Sequence, residues 1–404
     1  MSRWVTRADR RLANRLARRD LQRLASGTWR PGRLSFGYRA VLVVASTLVY
    51  AVALTLLLGS IALAIKFVFE QAWLGVVVFG ILAVATLLSL FTGRPNLRGV
   101  EATRQRFPTL WRALDEVAQR VGTRAPQRVI VLPDTRAFVF QHRPARRLFQ
   151  RERVLALGAG YFPLLSQTEL MALLAHELAH YRHGHTALHL YVGRAQLALE
   201  HLLEVFRETV ASQTGSKRPV RSRGGSGSAI ALAATLLLWI PTLPLRVLYR
   251  LFHLVRLAES RAAEFDADLT AVKAYGTQAF IGMLTALGVT TKTFWRASSS
   301  LRAEMARHQS QSYYAELRRH YAALPPAVIE QLRAEEIREY RTLERSHPIT
   351  PDRLRAALQA NIPPPLDASA EPAVQLLVPA GADSADGVEA ELTALLFSWK
   401  TSRR

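Results

Sequence analysis

Cysteine is absent from all 404 residues. Its absence excludes disulfides, thiolate metal sites and a cysteine nucleophile, so any transition metal must be held by nitrogen and oxygen donors. No internal repeat is present either. Acidic residues are scarce, 31 against 53 Lys+Arg, giving a formal net charge of +22. A charge of this size suits nucleic acid, but its distribution points elsewhere. The first 39 residues hold eleven Arg and two Asp and run directly into residues 41–65, where charge is missing altogether. A second uncharged run, 72–91, follows a short connection containing Lys66 and Glu70. Each is long enough to cross a bilayer core as a helix, which takes ~20 residues. A cleaved signal peptide fits badly, because the basic leader is too long and a second span follows.

Hydrophobic residues make up 50% of the chain, enough for a large buried core, and the length permits two or three domains. After Phe91 come Arg94, Arg98, Arg104, Arg106 and Arg112, with Glu101 the one acid among them. Basic flanks on both sides of a hairpin put both in the cytoplasm. The arm 1–39 is expected to rest on anionic headgroups, and no nucleic-acid partner is expected.

Residues 95–120 are expected to form a leading helix, with Leu110, Leu114 and Val117 at helical spacing. Short β-like runs follow at 128–132, 136–140 and 153–158, the first two separated by the turn signal Pro133-Asp134-Thr135. Ser166 and Glu169 stand in capping-box relation, so a helix should start there and run through His180, with Gly184 ending it. A basic Gly/Ser-rich loop spans 217–228, and an apolar segment, 229–245, is broken by Pro241 and Pro244. A long helix is expected over 245–275, closed by Gly276. The remainder alternates helices with breaks at 324–326, 346–351 and 362–365. It ends in a Pro-rich linker and tail (362–404), with a docked helix at about 388–399 after a loose "AGADSADG".

The chemistry concentrates in "LLAHELAHYRHGH", residues 173–185. His176 and His180 are four residues apart and stand on one helix face, where two imidazoles reach one metal ion. Glu177 is turned aside from the metal but within reach of water on it. This is the H-E-x-x-H arrangement of two ligands and a general base. With 11 histidines and 21 glutamates in the chain, roughly 0.016 such motifs are expected by chance. The nearby pair His185 and His189 repeats the spacing without the glutamate and suits surface or capping roles, as does His183. A catalytic zinc takes three protein ligands and keeps the fourth position open. In "ESRAAEFDAD", 259–268, Arg261, Glu264 and Asp268 share one helix face. Glu264 as ligand, Asp268 accepting a histidine N–H and Arg261 as an anchoring charge form one coherent set. Spacing alone leaves Glu259 open as the ligand, or all of these as a solvated face.

H-E-L-A-H at 176–180, S-R-x-x-E-F-x-A-D at 260–268 and S-H-P at 346–348 followed by Arg353 resemble the membrane zinc metallopeptidases of the HtpX and CAAX prenyl endopeptidase type. The likeness in order and spacing covers about 129–358. It implies Glu264 as the third zinc ligand, one Zn2+ per chain, and His347 reaching toward the active site to face the oxyanion, a role Arg261 shares as an alternative. It also departs from that pattern: Leu257 and Arg136 stand where asparagines are common. The implied reaction is endoproteolysis of membrane or membrane-associated proteins. Glu177 is the general base, and an extended substrate pairs with an edge strand at Arg136, Ala137 and Phe138, or alternatively at 153–158.

Two apolar-leaning segments, 186–206 and 229–245, separate the histidines from Glu264. The first contains Arg194, Glu200, His201 and Glu204, each expensive at bilayer depth, and the linker between them is basic. Neither is therefore expected to span. The expected fold class is mainly α with a small β-sheet: an α+β zincin-like protease domain (93–361) behind an N-terminal two-helix transmembrane hairpin (40–92). The expected location is a bacterial inner membrane, with the N-terminus and protease domain cytoplasmic. The arginine-heavy composition fits a GC-rich bacterial genome. The alternative is a membrane-anchored, inert, zinc-stabilised scaffold binding lipid or protein through its basic arm. Glu177 separates the two, since hydrolysis needs the base and a scaffold needs only the ligands.

Overall fold

The computed structural model describes residues 36–91, 97–142, 152–182, 191–196, 198–200, 203, 242–296, 298–337 and 350–401. They fall into two compact units, one drawn from Arg33–Pro95 and Ala187–Glu259, the other from Asn96–Thr186 and Ser260–Arg404.

The first unit is helical. Helix α1 (Phe36–Phe69) and helix α2 (Trp73–Phe91) pack on one another across a tight turn in which Gln71 takes a positive φ of 53°. Within α1, Ala40–Phe69 is long and apolar enough to cross a membrane, the one such helix among the described residues. Helix α2 is apolar over its 19 residues, and the stretch of it that counts here as apolar helix is Trp73–Val84. One face of α1 is covered: Leu42 and Val49, seven residues apart, pack with Val192, Ala195, Leu199, Leu203 and Tyr249. Away from that face, Val44, Leu58, Phe69, Trp73, Leu74 and Ile81 stay exposed.

The second unit is built on a four-stranded mixed sheet of β1 (Val100–Glu101), β2 (Arg128–Leu132), β3 (Ala137–His142) and β4 (Glu152–Gly158), in the order β1-β2-β4-β3. The turn at 133–135 does not make a hairpin: β2 pairs in parallel with β4, and β3 runs antiparallel to β4 on its other side. The consequence is positional. β2 and β4 are near-continuous apolar runs because both faces are covered, while β3 is a half-buried edge strand. Helix α3 (Pro108–Val121) begins at Pro108, not at 95, with that proline inside its first turn, and ends at the left-handed Gly122. Leu110, Leu114, Val117 and Val121 are buried.

Helix α4 (Gln167–Arg182) starts as its sequence dictates. The Ser166 N–H donates to Glu169 Oε2 (2.9 Å) and the Glu169 N–H to Ser166 Oγ (3.3 Å). Its residues Leu170 to Ala175, Met171 excepted, are fully or almost fully buried, so the helix is a core element, not an amphipathic surface one. Helix α5 (Thr242–Tyr275) follows the expected course and is closed by Gly276. Then come α6 (Thr277–Arg296), α7 (Ser298–Arg307), α8 (Tyr313–Ala322), α9 (Pro326–Ile337), α10 (Thr350–Ala360) and α11 (Asp386–Thr401). The segment before α11 is anchored where looseness was expected: the Ala380 N–H donates to Arg106 O (2.8 Å), and Ala385 is buried. Helix α11 docks through Val388, Leu392 and Leu396, and its buried Glu389 accepts from the Ser312 hydroxyl (2.6 Å) and from Arg318. Gly184 lies outside the described residues.

Candidate metal centre

The four-residue spacing on α4 puts the rings of His176 and His180 side by side, their centroids 5.1 Å apart and nearly perpendicular at 87°. Glu264, from the second half of α5, meets both: its carboxylate oxygens lie 3.4 Å from His176 Nε2 and 3.7 Å from His180 Nε2. The three donor atoms lie within 4.8 Å of one another. His176 and Glu264 are buried, and His180 is half-buried. Glu259, the other glutamate that spacing left open, is one helical turn and more away on α5, and its side chain lies outside the described residues.

Behind the histidines stands a charge relay of contacts. His176 Nδ1 lies 2.9 Å from Asp268 Oδ1, which leaves Nε2 facing the cluster. Asp268 is gripped by Arg353 of α10, with Nε to Oδ2 at 2.8 Å and Nη2 to Oδ1 at 2.6 Å. Burial pushes the Asp268 carboxyl up, but the Arg353 guanidinium and His176 outweigh it and hold it below the usual carboxylate range. Burial likewise opposes charge on Arg353, and Asp268, Glu264 and Glu177 reverse this and raise its pKa. At His176, burial works against protonation, yet Asp268 and Glu264 together lift the imidazole to about 10. The pocket therefore stabilises positive charge at the point where the three donors converge. Two imidazole nitrogens and one carboxylate within 4.8 Å of one another, with the Asp268 carboxylate 2.9 Å from the far nitrogen of His176, fit a divalent metal such as zinc.

Glu177 is buried on the neighbouring face of α4. Tyr181, one position past His180, ties the end of α4 to the sheet: its hydroxyl donates to Val154 O (2.7 Å) and Phe140 O (3.1 Å). Ala137 and Phe138 lie on the edge strand β3. Arg136 stands just before the strand and folds back on the buried Asp134. Its N–H donates to Oδ1 (3.0 Å) and its Nε to Oδ2 (2.6 Å), while its side chain remains exposed. The side chain of Arg261 and all of His347 lie outside the described residues. The sequence marks Arg353 as a motif residue without a role and does not mark Tyr181. The signal for Arg353 is its place shortly after S-H-P at 346–348; Tyr181 reads like any aromatic at a helix end.

A histidine pair on one helix with an intervening glutamate, completed by a distant carboxylate, defines a metal-dependent hydrolase site. Residues 104–361 match peptidase family M48. The chain belongs to that family and is a metalloprotease. It is 25% identical over 283 residues to a "Protease HtpX homolog" of Pyrobaculum calidifontis, covering 68% of this chain and 75% of the relative. A second, from Archaeoglobus fulgidus, is 25% identical over 59% of this chain and 69% of its own. "Protease HtpX" of Legionella pneumophila (strain Corby) is 24% identical over 61% and 74%. Among solved structures, S. mikatae Ste24p is similar at 15% identity with a TM-score of 0.34, covering 80% of this chain and 66% of that one, just under two thirds.

Proposed function

We propose that the chain is a zinc-dependent endopeptidase, membrane-anchored, that hydrolyses peptide bonds of membrane or membrane-associated proteins. The observation that carries this reading is the convergence of His176, His180 and Glu264, with Asp268 behind His176. These three side chains would hold the metal, one per chain. Zinc, when bound there, acidifies water and polarises the scissile carbonyl. Asp268 keeps the His176 ring turned and its Nδ1 protonated. Glu177 accepts the proton of the attacking water and returns it to the departing amine. His347 or Arg261 supplies the charge that faces the oxyanion, by the order of the motifs. A buried Glu177 next to the ligands on α4 stands where hydrolysis needs its base, which favours the enzyme over the inert scaffold.

An extended substrate would pair with β3, which ends the sheet among the described residues. Backbone pairing there makes sequence selectivity modest. The anchor would be a two-helix hairpin of α1 and α2, supported by their exposed apolar side chains and by basic flanks that hold both ends, and the peptidase unit, on the cytoplasmic side of a bacterial inner membrane.

Glu177→Gln tests the reading. Metal analysis should find one zinc in both wild type and variant, and casein should be degraded by wild type alone. Equal proteolysis by the variant would defeat the mechanism.

A further inference from the structure

The chain continues past residue 361, where the family match ends, and residues 362–401 fold onto the second unit. Two threonines clasp the beginning of this extension in the same way. Thr277, the first residue of α6, donates its N–H to Ile362 O (2.9 Å) and accepts the Ile362 N–H at Oγ1 (2.8 Å). Thr168, in the first turn of α4, donates its hydroxyl to Ser369 O (2.9 Å) and accepts the Ser369 N–H at Oγ1 (2.6 Å). Beside it, the Gln167 N–H donates to Glu371 O (2.7 Å), and the Ala373 N–H to Leu165 O (2.9 Å). At the other end the backbone presses against the stop of α5. Gly276 has φ +85°, and a Cβ there would lie 2.7 Å from Pro363 O and 2.8 Å from Pro364 Cα.

Residues 362–369 therefore run from the end of the helix that carries Glu264 to the start of the helix that carries His176 and His180. Ile362 packs against the core, but Pro363, Pro364, Leu366, Asp367 and Ala368 are exposed. Between Ile362 and Ser369 the stretch is held by the pair of clasps, helped by the packing of Ile362 and by an ion pair between Arg120 and Asp367.

The geometry points to residues 362–369 as a positioning strap that sets the spacing of α4 and α5 at the metal centre, an inference that rests on the metal reading above. The lever arms are long. At 1.5 Å per residue, His176 lies about 12 Å along its helix from Thr168, and Glu264 about 18 Å from Gly276. A tilt of about one degree displaces a group 18 Å away by about 0.3 Å, which exceeds the ~0.2 Å tolerance of a metal–ligand distance. Thr168 and Thr277 act through the helices they hold and touch neither metal nor substrate.

The test is the zinc dissociation constant of the full-length protein, measured by chelator competition. In one variant, Gly-Gly-Ser-Gly is inserted between Leu366 and Asp367, which slackens the strap and spares both clasps. In a second, Thr168→Val with Thr277→Val opens the clasps. In a third, both threonines become serine, which keeps the hydroxyls. The first two should bind zinc about tenfold more weakly, the scale of loss when supporting contacts of a metal ligand are removed, and the third should match wild type. Should the valine pair fail to fold, the insertion decides alone. Zinc binding by the folded insertion variant within twofold of wild type overturns the strap. Equal zinc binding by wild type and His176→Ala removes the metal reading, and the strap with it, a result distinct from the first.

Discussion

Replacing Asp268 by asparagine strikes two structures at once, and their separation tests the account of the site. The carboxylate is 2% exposed and is shared between His176 Nδ1 and the Arg353 fork. Neutralising it leaves a guanidinium buried without its counter-charge, a change that costs about 3–5 kcal/mol. At roughly 2–4 °C per kcal/mol for a domain of this size, the melting temperature should fall by roughly 6–20 °C. Melting is measured in EDTA, so that zinc loss does not contribute. The same substitution takes the charged acceptor from His176 and should weaken zinc binding by about 10–100-fold, or about 1.4–2.7 kcal/mol. Adding Arg353→Met removes the stranded cation. Most of the lost stability should return, while zinc affinity stays at least about tenfold down, because His176 still faces a neutral amide. Recovery of both would refute the reasoning: Asp268 would then serve Arg353 alone.

Glu316 gives a pH prediction. Burial raises its carboxyl, but His308, Arg319 and Ser310 outweigh this and hold it below the usual glutamate range. Its stabilising contribution is therefore present above ~4.3 and lost as pH falls through the lowered folded value. Glu316→Gln should show a smaller drop in urea midpoint between neutral and acid pH than wild type; an equally steep drop rejects it. The absence of cysteine makes every introduced thiol a single reporter. In intact cells an impermeant maleimide should label Gln71→Cys at the hairpin turn and leave Ser222→Cys untouched, and labelling of the latter from outside overturns the two-span topology.

The legible parts of this chain are those whose partners are near in sequence. Ser166 and Glu169, or His176 and His180, meet because a helix brings offsets of three and four together, whatever surrounds it. By spacing alone Glu264 is legible only as one of a set with Glu259, because a helix face says which residues align and not what they face; the resemblance singles it out. Asp268 and Arg353 are 85 residues apart. Nothing local encodes their meeting, so Arg353 stood in the sequence without a role. The sheet shows the same limit: the runs at 128–132 and 153–158 declare themselves strands, but their parallel pairing follows from the intervening path. The tail misled for another reason. Ala380 is held by its backbone N–H, and such bonds are blind to side chains.

If the scissile chain docks on β3, the open rim of that strand turns looseness into the selection rule. A rim of this kind grips only polypeptide that is already stretched out, so a client still wound into helices offers nothing to seize until it unravels. Its lifetime would then follow how often it comes apart, and sound neighbours in the same bilayer would be spared without any recognition tag.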